Sequence, residues 1–512
     1  MKAHQIGIID MGSNSIRFVI YAVDRLGCYK EVLNLKVTAR LSTYITNERT
    51  MTQEGIEVIL STLAKFESVI NDFQLTEIRG VATAAIRNAE NKAEILQAIS
   101  EKTPFLISVL SEHEEAYYGY LAITNSTNIS QAITIDIGGG STEITYFKNR
   151  ELKHSHSFPF GALTLKKEFV KNHTPTDSEW DNIRKFLKEQ YDTLPWLKGK
   201  EVPVIGIGGT ARNIALVHQN YIDYPLSGLH QYEMSKKDVA SIQGKLSSLS
   251  LKKREKVDGL SKDRADIILP GIAAIEELIE HANSDKFVIS NKGLRDGLFY
   301  EILLKPMEVT HFPNVTSESF YQLGVTYNLD QDHQKRIAIL SSYFAKELLP
   351  LNDVTLSQQD LQHIQWGANV FYLGYTIHPE SQSQHSFYLL TNQSIDGLSH
   401  FERLTIAFLS SFKSQSQLKR FAEPFRHWIS KEELSNVELM GAILKLCYGL
   451  NVSKRDIVKR IEMTKNSSKL IELSIFYRGD VYFESNHANK YKKHLERSLK
   501  KSIELSFIEE DY

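Results

Sequence analysis

The stretch Thr134-Ile-Asp-Ile-Gly-Gly-Gly-Ser-Thr-Glu143, TIDIGGGSTE, decides how the chain is read. An apolar run ends in a carboxylate, and three glycines, two hydroxyls and a second carboxylate follow. Ile8-Ile-Asp-Met-Gly-Ser-Asn-Ser15, IIDMGSNS, has nearly the same design near the N-terminus. A backbone turn that cradles phosphate needs residues permitting close approach and unusual φ, together with hydroxyls that donate hydrogen bonds. Gly138, Gly139, Gly140, Ser141 and Thr142 meet both needs, and so do Gly12, Ser13, Asn14 and Ser15 with one glycine. Asp10 and Asp136 fall at strand ends, where a carboxylate can hold Mg²⁺ beside phosphates. One such turn is a weak signal. Two, each opening an α/β half, can grip one polyphosphate from both sides.

Outward from these loops the pattern is α/β. Residues 6–9 and 16–23 read as strands around the first turn, and 56–70 repeats its apolar residues at helical spacing. Strand-like runs follow at 78–83, 105–110 and 132–137, then at 144–147, in VPVIGIGG and in KFVISNKG. Strands alternating with helices predict two related α/β halves, with the polar stretch Thr124–Gln131 at the boundary. The expected domains are 1–125, 126–305, a mostly helical 306–455 and a small α+β domain at 456–512. In the last, residues 469–484 read as a hairpin around Arg478-Gly479-Asp480, followed by a helix and a terminal strand.

At 512 residues the chain exceeds one core, and its 42% hydrophobic and 24% charged residues suit a soluble globular protein. A formal charge of −2 offers no broad field for nucleic acid or an anionic membrane. Cys28 and Cys447 make neither a disulfide framework nor a zinc spacing. The start MKAHQIGIID lacks the apolar core of a signal peptide, and no apolar run approaches a membrane span. A cytoplasmic protein is expected.

The paired loops resemble the two phosphate loops of the actin, Hsp70 and sugar-kinase superfamily. Their companions narrow the resemblance. ATAAIRNAEN (82–91), VLSEHEEA (109–116), IDIGGGSTE (135–143), FGALTL (160–165), GIGGTARNIA (206–215), DRADIILPGIAAI (263–275) and GLRDGLFYE (293–301) occur in the order found in exopolyphosphatases and guanosine pentaphosphate phosphohydrolases. The match is close over 1–305 and looser beyond. It implies two actin-like (ribonuclease H-like) domains, a domain similar to HD-type phosphohydrolases and a small C-terminal domain. It further implies Mg²⁺-dependent release of terminal phosphate from linear polyphosphate, or of the γ-phosphate of guanosine pentaphosphate, by a homodimer.

The resemblance assigns roles. Glu115 matches the family's catalytic glutamate and would activate water; from the residues alone, Glu112, Glu114 and Glu115 read first as favourable charge at a helix start. Glu112 stands where the family commonly has glycine. Asp136 and Glu143, with Asp10 close by, are the expected Mg²⁺ ligands. Arg87 matches a position near the phosphates, although by itself it reads equally as a surface arginine. Gly208, Gly209 and Thr210 match the superfamily's nucleotide-side loop, with Arg212 behind them. Asp266 and Arg295-Asp296-Gly297 read as structural supports. The basic runs 251–256 and 489–501 are candidate contacts for a long polyanion.

The family's His-Asp metal pair is missing. FYLGY (371–375) puts Tyr372 and Leu373 at its polar positions, and His333, His378 and His385 are too scattered for a metal site. The helical domain is therefore expected to be a scaffold. Two further classes stay open: a small-molecule kinase of the same fold, against which EHEEA argues, and a non-catalytic sensor of guanosine tetraphosphate or polyphosphate.

Overall fold

The computed structural model describes residues 4–351 and 354–510. His4–Met11 (β1) and Ile16–Val23 (β2) form the hairpin around the first glycine turn, with Asp10 opposite Arg17. Tyr29–Val37 (β3), Leu75–Ala82 (β4) and Ile107–Val109 (β5) complete a sheet of order β3-β2-β1-β4-β5, with β4 and β5 parallel to β1. Both faces are covered. Ile6 and Ile8 belong to one core cluster and Ile9 and Met11 to another, so β1 reads as a continuous apolar run. The helix Gln53–Ile70 covers one face, and Thr52 caps it by accepting from the Gly55 N–H.

The second sheet repeats this plan. Gln131–Ile137 (β6) and Thr142–Lys148 (β7) form the hairpin around the three glycines, with Asp136 opposite Glu143. Glu151–Phe158 (β8), Val204–Ile207 (β9), Tyr232–Ser235 (β10) and Lys286–Ile289 (β11) give the order β10-β11-β9-β6-β7-β8. Each sheet is thus an antiparallel three-strand meander whose first strand also pairs with a parallel neighbour. The two expected halves share one topology. A common core joins them: Leu298 and Phe299 of the helix Leu294–Leu304 cluster with Tyr118 and Leu121 of the helix Glu112–Thr124.

Strands β3, β8 and β10 lie outside the strand-like runs read from the sequence. In β3 the exposed Lys30–Val32 precede a short alternation, in which Leu33, Leu35 and Val37 pack on the core between exposed Asn34 and Lys36. The polar stretch from Thr124 is buried through Thr127. Its Thr124, Ser126 and Thr127 hydroxyls bond carbonyls of the preceding helix turn, and the Asn125 side chain donates to the Thr310 carbonyl and accepts from the Phe312 N–H.

The chain divides into two compact units: Met1–Tyr224 with Leu229–Val315, and Pro225–Gly228 with Thr316–Tyr512. The second is mostly helical, including Gln331–Leu348, Gln358–Asn369, Gln382–Thr391, His400–Ser410 and Lys431–Gly449. It also holds a sheet of Val458–Asn466 (β12), Leu470–Tyr477 (β13) and Ser502–Glu509 (β14). The hairpin expected at 478–480 is corrected: β12 and β13 form the hairpin, and Tyr482 begins the helix Tyr482–Leu499 that crosses to the parallel strand β14. The Asp480 carboxylate accepts from the Tyr482 N–H at 3.0 Å, an Asx turn that accompanies the change of direction.

Tyr372, at the missing His-Asp position, takes a left-handed φ of 56°. Its hydroxyl accepts from Lys445 Nζ at 2.5 Å and donates to the Phe412 carbonyl at 2.8 Å. Lys445 Nζ also lies 4.6 Å and 4.4 Å from the Tyr372 and Tyr491 ring centroids. His333 is buried and bonded to Asn451, and among the described residues no group of three or more His, Cys, Asp or Glu could hold a metal. A tyrosine held by the buried Lys445 amine stands at the missing His-Asp position.

Burial, then Lys413 and Lys490, pull the Lys445 amine down to about 7. An unfolded lysine titrates near 10.4. Between these values the unfolded chain binds the extra proton, so this residue makes stability rise with pH above about 7 and leaves it flat below. Lys445→Met should consequently gain more stability over the native protein at pH 6 than at pH 9.5 in urea unfolding. An equal difference at both pH values would refute this.

Candidate active site

The two glycine turns have one geometry. The Gly12 N–H donates to the Ser15 carbonyl at 3.1 Å, and the Gly138 N–H to the Ser141 carbonyl at 2.9 Å. They meet across a cleft of about 200 Å³ lined by Asp10, Gly12–Ser15, Thr83 and Glu115 from the first half and by Asp136, Gly138–Ser141, Glu143 and Arg264 from the second. The Ser13 and Asn14 carbonyls are fixed by the Ser42 and Arg40 N–H groups. The second loop is held differently. Ala162, Leu163 and Thr164, at the start of the helix Ala162–Phe169, donate their N–H groups to the Gly138 and Gly139 carbonyls.

Four carboxylates share this cleft, and burial is the largest influence raising each above its usual range. Arg295, 3.7 Å from Asp10, and Arg17 oppose the rise at Asp10. Arg212 and Arg264 oppose it at Asp136. Glu143 accepts from the Ser157 hydroxyl at 3.0 Å, and Glu115 and Asp136 push it further up. Glu115 is held at 2.6 Å by Arg87, which partly offsets burial, while Asp136 and Asp10 add to it.

The three glutamates of SEHEEA separate by function. Glu114 accepts from the Ser111 N–H and hydroxyl, while the Ser111 hydroxyl accepts from the Glu114 N–H; the two form a capping box. Glu112 is exposed, and only Glu115 reaches the cleft. Glu114→Ala should therefore cost roughly 0.3–1.5 kcal/mol of stability and leave turnover within about twofold. A collapse of turnover in a variant that still folds would contradict this division.

Other expected residues take distinct places. Thr142 is wholly buried and its hydroxyl donates to the Phe160 carbonyl, which leaves Ser141, whose side chain also hydrogen-bonds Glu143, as the hydroxyl of the second loop that lines the cleft. Arg87 stands behind Glu115 and is absent from the cleft lining; its Nε and second terminal nitrogen are buried without a hydrogen-bond partner. Gly208 and Gly209 open a helix at the cleft edge. Gly208 has φ +80°, and an added Cβ would lie 2.3 Å from Asp136 Oδ1, so only glycine lets that carboxylate pack there. Thr210 is buried beside Arg264.

Asp266 pairs with Lys166 at 2.7 Å, and Asp296 accepts from the Gly293 N–H at 3.0 Å. Arg254, in the basic run 251–256, is fully buried and bonds the His173 carbonyl. Arg17, Arg264 and Ser157 were not anticipated. Arg17 had a readable signal, since a hairpin places it across from Asp10. Ser157 had none, because its strand was not foreseen.

The donor set suits a hard divalent cation. Asp10, Asp136 and Glu143 offer only oxygen ligands, and their mutual repulsion in a buried cleft would be relieved by positive charge. Among the described residues no three of these carboxylates come together as a group that could hold a metal by itself.

With this geometry in view, the comparisons are consistent. The Ppx/GppA phosphatase family profile matches residues 19–306, and the profile of that family's domain III matches 315–492. The chain belongs to the Ppx/GppA phosphatase family. The crystal structure of the Aquifex aeolicus family member is 25% identical with TM-score 0.54, covering 60% of this chain and 100% of that one. An exopolyphosphatase-like protein is 24% identical with TM-score 0.53, covering 58% and 97%. An exopolyphosphatase from Cytophaga hutchinsonii is 20% identical with TM-score 0.54, covering 60% and 100%. The last two speak to the fold alone. No helix among the described residues is long and apolar enough to cross a membrane.

Proposed function

We propose that the chain is an Mg²⁺-dependent exopolyphosphatase that works in the cytoplasm as a homodimer. The observation that carries this is Glu115: a buried carboxylate, raised by its surroundings and held by Arg87, aimed into a cleft framed by two matched glycine turns. A polyphosphate end lies between the turns, where the backbone N–H groups and the Ser13, Ser15 and Ser141 hydroxyls donate to its oxygens. Arg264 offsets charge on the second-half side. Mg²⁺ bound by Asp136 and Glu143, with Asp10 close by, would neutralise phosphate charge. Glu115 takes a proton from water as its oxygen attacks the terminal phosphorus. The bond from that phosphorus to the bridging oxygen breaks, giving orthophosphate and a chain one unit shorter.

Guanosine pentaphosphate would undergo the same chemistry. Phosphate release from long-chain polyphosphate and from guanosine pentaphosphate, measured in parallel with Mg²⁺, separates the two by their rates. Binding of either anion without release would instead identify a sensor. Phosphorylation of an acceptor coupled to ATP consumption would identify a kinase.

A further inference from the structure

The second unit has its own cavity, a groove of about 400 Å³ between the helices Gln331–Leu348 and Gln358–Asn369. This volume suits a small organic ligand. Lys335 and Lys346 both line it. They are 346 − 335 = 11 residues apart on one helix, which puts them on one face about 16 Å apart along the axis. The groove-lining residues, among those described, include these two lysines and no Asp or Glu. Two cations thus bracket it.

Between them the lining is aromatic and amidic. Trp366 is half-buried, with ring neighbours Phe320 and His363 fixing its orientation at centroid distances of 6.3 Å and 5.8 Å. Tyr343 lines the same groove and is 64% exposed. The amides of Gln362, Gln365 and Asn369 offer paired donors and acceptors of the kind that read purine edges. The Ser342 hydroxyl is shielded from solvent yet has no hydrogen-bond partner. A bare phosphate chain needs cations and would leave the ring faces and amides unused. A flat base uses both, by stacking on aromatic faces and bonding at its edge.

We propose that this groove binds a purine nucleoside di- or triphosphate, its base on Trp366 and its phosphates on Lys335 or Lys346. The lining residues all belong to the second unit, and the proposal does not depend on what the phosphate cleft hydrolyses.

The test uses the full chain in a chelating buffer, with ADP, adenosine and tripolyphosphate as probes and tryptophan emission and calorimetry as readouts. The sequence has four tryptophans, so the Trp366→Phe variant isolates the signal of the groove. ADP is expected to quench the emission, and Trp366→Phe to abolish that quench. Lys335→Ala with Lys346→Ala should weaken ADP binding at least about tenfold without shifting the melting temperature, and the double Arg variant should restore it. Adenosine should bind more weakly than ADP. ADP affinity unchanged in the double Ala variant, a quench that survives Trp366→Phe, or tripolyphosphate binding the groove as tightly as ADP would each overturn the proposal.

Discussion

Glu115→Gln is expected to lower phosphate release by a factor of about 10² to 10⁴, the range that a positioned general base contributes. The substitution keeps the side-chain shape, and its amide oxygen can still accept from Arg87, so the Glu115–Arg87 contact at 2.6 Å need not be lost. What disappears is the capacity to take a proton. Substrate binding should therefore persist while turnover falls, a split that a merely structural role would not produce. Because burial pushes Glu115 up to about 7, the native rate should climb as pH rises through that value, where the carboxylate ionises. Glu115→Gln should flatten that limb. If the variant turned over within tenfold of the native rate, Glu115 would not be the base.

The contrast with Glu114 shows what a sequence can and cannot disclose. SEHEEA gives three acids at a helix start, and periodicity alone does not distinguish the cap from the group in the cleft. Only the capping box at Ser111 commits Glu114 and leaves Glu115 one position further round. The glycine turns, by contrast, were legible, since each is local and follows a strand buried on both faces. So was the doubled topology, because hairpin and parallel strand recur in the same order. The unforeseen parts are those whose signal is not local. In β3 the alternation is confined to Leu33, Leu35 and Val37, a short run behind the exposed Lys30–Val32. Thr142 sits among phosphate-loop residues in the sequence, yet the sheet turns its hydroxyl toward the Phe160 carbonyl. The run 469–484 reads as a hairpin around Arg478-Gly479-Asp480, but the Asp480 carboxylate accepts from the Tyr482 N–H and a helix begins at Tyr482 instead of a second strand.

Gly161→Ala is expected to remove about two orders of magnitude from kcat/KM without unfolding the protein. Gly161 is in extended backbone, so its φ is no obstacle; space is. An added Cβ would lie 2.6 Å from the Gly138 carbonyl oxygen, 2.6 Å from the Gly139 carbonyl carbon and 2.7 Å from the Gly139 oxygen. All three are backbone atoms of the phosphate loop and cannot rotate aside. The loop must move, and it carries with it the bonds from the Ala162, Leu163 and Thr164 N–H groups that set its position. A displacement of about 1 Å at such a site costs roughly 10²-fold in rate, whereas relieving one overpacked methyl costs only about 1–3 kcal/mol of stability. Gly140→Ala provides the discriminating partner, because its Cβ would meet nothing in the protein within 4 Å. Any loss there comes from crowding the substrate itself and should show as a raised KM. Gly244→Ala, on a distant helix and equally unobstructed, should leave both constants unchanged. Were Gly161→Ala to turn over like the native enzyme, the loop would be free to shift without consequence, and its fixed position between strand β6 and the following hairpin strand would not be what holds the phosphate.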